Sequence, residues 1–397
     1  MPSTIRQCSK EDMESVLSLV AYAYSFPESS LERYRELLTK SHKEYYLNEV
    51  DGEPVATARV LSLKQNFRGT FKPMIGIGMV ASSPEHRRRG HVRDLMKQIL
   101  VDFRKEGFAV STLYPFKDTF YTALGYVKMP PTHLLEVNPN QLSRISKPEG
   151  YRASREEGGK AFQAWRLIHD AAIGQIHGGA LRSDFQWKNR TDNFRSKLAI
   201  ARNKEGDPEG VMVYSVKGYG TGHEWAEEGS IVIHEMHWST LEGRDTLLNY
   251  IYLHADQIVN VKMNISSRTD DYYHWTSDLH TLKVKANIVT MARIIDIEKS
   301  MRGFQVKEAG EVIVEVRDPD LDWNNGSFRL WNEDGTLECE RVDSDATART
   351  SIEGLTSILY GTLGMDSLRR MAWLEGETPK LLSEWFSRQT PWLTEEF

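Results

Sequence analysis

Cysteine is nearly absent from this chain. Among 397 residues only Cys8 and Cys339 occur, far apart and without metal-ligand spacing. A disulfide framework is therefore not expected, and a reducing cytoplasm is the expected compartment. Long apolar runs are missing too. No stretch is long enough to span a bilayer, and no basic-then-apolar leader opens the chain. Positive charge is not in excess: the formal net charge is −6. Residues 291–397 carry 21 acidic and 12 basic side chains, and the other residues 35 and 38. Such a balance argues against general nucleic-acid binding. It is compatible with a cationic substrate approaching an acidic face. His234, His237 and His254 show no metal-ligand spacing, and no phosphate-binding P-loop or nucleophilic triad is present. No metal is expected.

What remains is an ordinary globular composition, 40% hydrophobic and 27% charged, long enough for two or three domains. One stretch organises the rest, residues 75–100, IGIGMVASSPEHRRRGHVRDLMKQIL. It begins as a strand with Ile75, Ile77 and Met79 on one face. It turns at Ser82-Ser83-Pro84 and passes through Arg87-Arg88-Arg89-Gly90. It then becomes an amphipathic helix with Val92, Leu95, Met96, Ile99 and Leu100 on one side. The first N–H groups of a helix lack intrahelical partners and the dipole is positive there. Gly90 has no Cβ to keep a phosphate away from the backbone. The turn is therefore read as the seat of a coenzyme diphosphate.

Around that unit the periodicity predicts a strand at 4–8, helices over 9–22 and from about 29, and a hairpin at 44–63 turning on Asp51-Gly52. Past it come a strand at 108–114, a short helix at 116–124 and a strand at 127–137. A polar connection follows from Asn138 to about Glu156. A second series of strands and helices then repeats the strand–turn–helix–strand order, with His237-Trp238-Ser239-Thr240 where the first series has its arginines. From Met291 a strand meander gives way to helices, including one over 379–387, an α+β pattern.

The order of the first series resembles the GCN5-related N-acetyltransferase (GNAT) fold. The signature Arg/Gln-x-x-Gly-x-Gly/Ala is met by Arg87-Arg88-Arg89-Gly90-His91-Val92, with Val92 departing from the small residue of the pattern. The runs RIIDIEKSMRGF and VEVRDPDLDWNNGSFRL are similar to a sterol-carrier-protein-like domain. With Phe120-Tyr121-x-x-x-Gly125-Tyr126 and a terminal Phe397, they make the whole chain similar to the bacterial Eis-like (enhanced intracellular survival) acetyltransferases. The resemblance implies a mixed α/β protein of two tandem GNAT-like domains and a sterol-carrier-protein-like α+β domain. The expected ranges are 1–145 for the acetyl-CoA-binding domain, 146–290 for a second, degenerate copy, and 291–397 for the third.

The same resemblance implies a reaction. Acetyl-CoA would be the co-substrate, and the acceptor a primary amine of a cationic molecule, an aminoglycoside-like polyamine or a lysine side chain. Attack would be direct, in a ternary complex. Val80 and Ser82 would run beside the pantetheine arm, and Arg87, Arg88, Gly90, His91, Val92 and Arg93 would lie at the diphosphate. Tyr121 would protonate the leaving sulfur, with Tyr126 as its rival. The α-carboxylate of Phe397 would accept the amine proton. Tyr22, Tyr24, Phe26 and Glu28 are candidates for the substrate pocket. A homo-oligomer, a hexamer in this family, is implied as well. A different class of function competes: a lipid or acyl-CoA carrier working through the third domain, with a non-catalytic GNAT scaffold.

Overall fold

The computed structural model describes residues 3–218, 229–266, 271–376 and 380–397. The chain forms two compact units. One contains Met1–Met129, Thr290–Gln389 and Thr394–Phe397, and the other Pro130–Val289 and Thr390–Leu393.

The first unit opens with strand β1 (Ser3–Gln7) and helices α1 (Met13–Tyr24) and α2 (Leu31–Lys40). Strands β2 (Tyr45–Val50), β3 (Glu53–Phe67) and β4 (Thr70–Ser82) follow as an antiparallel meander. Asp51-Gly52 makes the first turn, both residues at positive φ. The second turn, Arg68-Gly69, also has positive φ at both residues and carries β3 and β4 beyond their expected ends. Helix α3 (His91–Lys105) leads to β5 (Val110–Leu113), α4 (Asp118–Thr122) and the short β6 (Val127–Lys128).

Alternation along the strands supplies both faces of this sheet. Tyr46, Ala56, Ala58, Val60, Ile75 and Ile77 bury against Leu95, Met96, Ile99 and Leu100 of α3. Tyr45, Leu47 and Ala81 bury against Val16, Leu17 and Val20 of α1.

The second unit takes β7 (His133–Val137) into its own sheet. The stretch 127–137, expected to be mostly strand, is divided, with β6 in the first sheet and β7 in the second. The expected linker also contributes a strand, β8 (Arg152–Arg155). There follow α5 (Gly159–Gln175), the two-residue β9 (Ala180–Leu181), α6 (Asp184–Asp192), β10 (Lys197–Arg202), β11 (Pro208–Lys217), β12 (Ser230–Trp238), α7 (Leu241–Tyr252), β13 (Asn260–Ile265) and β14 (Lys283–Ala286). The sheet runs β14-β7-β13-β12-β11-β10-β8.

The chain then returns to the first unit. Strand β15 (Met291–Ile294) lies between β5 and β6, antiparallel to both. The first sheet therefore reads β1-β2-β3-β4-β5-β15-β6. All four residues of β15 are buried, as a central strand requires. Helix α8 (Ile297–Met301) and strands β16 (Phe304–Gln305), β17 (Gly310–Arg317), β18 (Gly326–Asn332), β19 (Thr336–Val342) and β20 (Ala348–Ser351) follow. Helices α9 (Ile352–Tyr360) and α10 (Met365–Arg370), strand β21 (Leu374–Gly376) and α11 (Lys380–Trp385) complete the third domain. The helix expected over 379–387 starts at Pro379, which lies outside the described residues.

A buried ion pair ties β15 down. The Arg293 guanidinium and the Asp318 carboxylate are both 0% exposed and joined at 2.6 and 2.7 Å. Arg293 also donates to the Leu124 carbonyl. Gly125 makes room for that guanidinium: its φ is +75°, and a Cβ there would stand 2.7 Å from Arg293 Nη1.

Candidate active site

The site begins where β4 and β5 part. Their parallel ladder runs from Met74↔Val110 to Ile77↔Leu113 and stops there. Just beyond it the β3–β4 register shifts and Met79 takes φ 48°. A bulge bends a strand and breaks its ladder. From Gly78 onward the edge of β4 that faced β5 pairs with no strand among the described residues, so its backbone amides can bond a ligand.

That opening continues into a cavity of about 520 Å³. Val80, Ser82, Arg87, Arg88, Gly90, His91, Val92 and Arg93 all line it. Every residue expected to hold the coenzyme is thus brought to one place. Gly90 is the N-cap of α3 at φ +91°, and Arg88 also has a positive φ of 61°. The Asn48 amide donates to the His91 carbonyl at 3.0 Å and steadies this helix start. Ser83 Oγ and His86 Nδ1 lie 2.8 Å apart. Among the described residues Arg87, Arg88 and Arg93 have no ion-pair partner. Exposed cations around a helix N-terminus fit a diphosphate by charge and by donor geometry. Val92 is half-buried against the core beneath, which explains its departure from a small residue.

The aromatic wall comes from α1, α4 and the bend just before α4. Tyr24, Phe116 and Phe120 line the cavity. Tyr24 is 48% exposed and its hydroxyl stands 3.5 Å from the Val80 carbonyl. Tyr22, Phe26 and Glu28 do not line this cavity. Tyr22 is exposed, and Phe26 stacks on Tyr34 with centroids 4.0 Å apart.

Tyr121 is 1% exposed, packed edge-on against Phe116 at 5.5 Å and Phe120 at 5.0 Å, both of which line the cavity. Burial holds its phenol well above the ordinary range, with Tyr24 and Tyr126 adding to the effect. Its hydroxyl has no hydrogen-bond partner among the described residues. Tyr126 differs. Its hydroxyl is committed to Ser111 Oγ at 2.7 Å inside the core, and burial pushes it up to about 12.

Phe397 lies on β4 at the parting point. A Cβ at Gly78 would stand 2.5 Å from its carboxyl carbon, and one at Gly76 would stand 2.7 Å from its ring. Two glycines on one strand face therefore form the bed for the last residue. Tyr114, next after β5, donates its hydroxyl to the Glu395 carbonyl at 2.7 Å, and its ring meets that of Phe397 edge-on at 5.5 Å. Burial raises the Tyr114 phenol, and Glu396 and Glu395 add to this, so it stays a donor. Gly76, Gly78 and Tyr114 belong to none of the motifs that mark the site in the sequence. The alternating glycines of IGIGM were the available signal.

Comparison with known proteins agrees with this geometry. Residues 4–129 and residues 178–294 each match an acetyltransferase (GNAT) domain family. Residues 300–394 match the sterol carrier protein domain. An uncharacterized N-acetyltransferase of Streptomyces avermitilis is 22% identical over 371 residues, covering 87% of this chain and 88% of the relative. The N-acetyltransferase Eis of Mycobacterium tuberculosis is 23% identical over 337 residues, covering 78% and 76%. Among solved structures, a GCN5-related N-acetyltransferase from Anabaena variabilis superposes with a TM-score of 0.88 at 18% identity over 100% of both chains. Eis1 from Mycobacterium abscessus gives 0.78 at 18% identity, again over 100% of both. The chain thus carries two GNAT acetyltransferase domains followed by a sterol carrier protein domain, and along most of its length it is similar to N-acetyltransferases of the Eis kind.

Proposed function

We propose that the chain transfers acetyl from acetyl-CoA to a primary amine of a cationic acceptor, a polyamine of the aminoglycoside kind or a lysine side chain. Attack is direct, with both substrates bound. The observation that carries this reading is the convergence of eight expected coenzyme residues on one cavity, whose arginines have no ion-pair partner among the described residues. Arg87, Arg88 and Arg93 neutralise the diphosphate, and the N–H groups at Gly90, His91 and Val92 receive its oxygens. The unladdered edge of β4 from Gly78 to Ser82 bonds the pantetheine amides and polarises the thioester carbonyl.

The acceptor must lose a proton. An ordinary lysine ammonium is neutral in only about one part in a thousand near pH 7.4. The α-carboxylate of Phe397 holds the ammonium by charge; one proton leaves through water to free the nitrogen lone pair, and once the N–C bond has formed the nitrogen, now far more acidic, gives a second proton to that carboxylate. Tyr121, kept protonated by burial, donates to the departing sulfur. The catalytic module is residues 1–145. Residues 146–290 form a copy without a coenzyme turn, and residues 291–397 form the third domain. The enzyme works in the cytoplasm as a homo-oligomer, a hexamer on family resemblance, which light scattering would count. Among the described residues no helix is long and apolar enough to cross a membrane.

The test is thiol release from acetyl-CoA with a short extension placed after Phe397. Turnover should fall by about 100-fold or more while acetyl-CoA still binds. Full activity in the extended chain would remove the carboxylate from the mechanism.

A further inference from the structure

The second unit repeats the parting of strands seen in the first. Strands β12 and β13 pair in parallel from Ser230 to Ile233 and then separate, beside a register shift between β11 and β12. The chain then turns into α7, with Thr240 as cap. In place of an arginine turn stands Trp238-Ser239-Thr240-Leu241. The cleft here, about 380 Å³, is lined by Met236, His237 and Trp238, and also by Thr390 and Trp392 from near the end of the chain.

The fit of that late segment is specific. The Trp392 N–H donates to the His177 carbonyl at 2.8 Å. Gly178 has φ +87°, and a Cβ there would stand 2.9 Å from Pro391 Cβ and from Trp392 N. Glycine is thus required twice over, by conformation and by close approach. The Trp392 ring lies 6.5 Å from the His237 imidazole. His237 is 4% exposed and its Nε2 lies 3.4 Å from Glu235 Oε1. Glu235 accepts from Arg182 at 2.6 and 3.1 Å and from Trp165 Nε1 at 2.7 Å. His169, Glu235 and His237 bring ligand-type atoms within 4.8 Å of one another. With a guanidinium and an indole N–H already on the carboxylate, they suit a rigid floor better than a dication.

We propose that this cleft, shaped like a coenzyme cleft but without its anion turn, is a dock for the chain's own residues 390–393. Trp392 and Gly178 are then positioning residues for the carboxylate of Phe397, five residues beyond Trp392. The proposal rests on the reading of Phe397 as proton acceptor. A chain end stays disordered unless tied down, and a catalytic group must be held to within about 0.5 Å. The dock supplies the first tie and the Tyr114–Glu395 bond the second.

The experiment compares Trp392→Ala, Trp392→Phe, Gly178→Val and a chain lacking Phe397. Each is read by kcat, acetyl-CoA Kd and hydrogen exchange of the peptide covering 390–397. Trp392→Ala should lower kcat by about tenfold or more, leave Kd within about twofold and speed exchange in that peptide. Trp392→Phe should restore most of kcat, and Gly178→Val should follow Trp392→Ala. Wild-type kcat and exchange in Trp392→Ala, beside an impaired chain lacking Phe397, overturn the dock alone. Wild-type kcat in the chain lacking Phe397 overturns the proton-acceptor reading and the positioning role with it.

Discussion

Gly78→Ala is the most economical probe of the catalytic end. Gly78 has an ordinary strand φ, so alanine meets no backbone strain there. It meets Phe397 instead. The new Cβ would stand 2.5 Å from the carboxyl carbon, whereas ordinary contact starts at 3.4 Å. Either β4 or the terminal residue must therefore move by about 0.9 Å. Because β4 is held by an antiparallel ladder to β3, the chain end is the softer partner. A displacement near 1 Å at reacting groups costs on the order of 100-fold in rate. The coenzyme turn is untouched, so acetyl-CoA affinity should stay within about twofold. Gly76→Ala is the graded control. Its Cβ meets the far end of the Phe397 ring at 2.7 Å, and a ring swings away at less cost than a carboxylate. The assay is steady-state thiol release with a saturating amine, paired with calorimetry for acetyl-CoA. An unchanged kcat in Gly78→Ala, with the fold intact by circular dichroism, refutes the placement of Phe397.

Four further outcomes can be checked. Tyr121→Phe should lower kcat by about 100-fold with little change in acetyl-CoA Kd, and an unchanged kcat would return the acid's role to open choice. Gly90→Val forces a β-branched residue to φ +91°, at about 1–2 kcal/mol, and fills the approach to the diphosphate. Calorimetry should show acetyl-CoA binding lost. Asp318→Ala leaves the buried Arg293 guanidinium without its carboxylate and should cost about 3–5 kcal/mol in urea unfolding. A loss under about 1 kcal/mol would contradict the tie between β15 and the third domain. Lys72 is lowered to about 8 by burial, with Arg302 adding to the effect. Its unfolded value is the higher one, so between about pH 8 and 10.5 the unfolded chain binds the extra proton. Its contribution to stability therefore rises with pH through that window. The Tm of the wild type relative to Lys72→Met should climb there, and a flat difference would count against a buried amine.

The strand–turn–helix unit proposed to hold the coenzyme was legible because every signal for it is local. Strand, turn and helix start lie within residues 75–100, and folding brings their expected residues onto one cavity. The same holds for the strands of each sheet, which alternate as their sequences do. What local sequence does not carry is which sheet a strand joins. β7 follows β6 by a few residues yet pairs with β13, and β15 follows the second unit's strand β14 yet lies between β5 and β6. A wholly buried MARI announces a central strand without naming its neighbours. Side chains that look equivalent in sequence also divided by packing. Tyr24 reached the cavity while Phe26, two residues on, stacked on Tyr34. Tyr121 and Tyr126 were separated by one hydroxyl partner, Ser111.

The central claim is that this cavity transfers acetyl from a thioester to an amine. The most direct measurement is thiol release from acetyl-CoA across aminoglycosides, polyamines and lysine peptides, with calorimetry of acetyl-CoA and of fatty acyl ligands on the same sample. Acetyl-CoA binding, and thiol release that depends on one of these amines and disappears in Gly90→Val, is the predicted result. Tight binding of fatty acyl ligands with neither acetyl-CoA binding nor amine-dependent release would contradict it and favour a carrier.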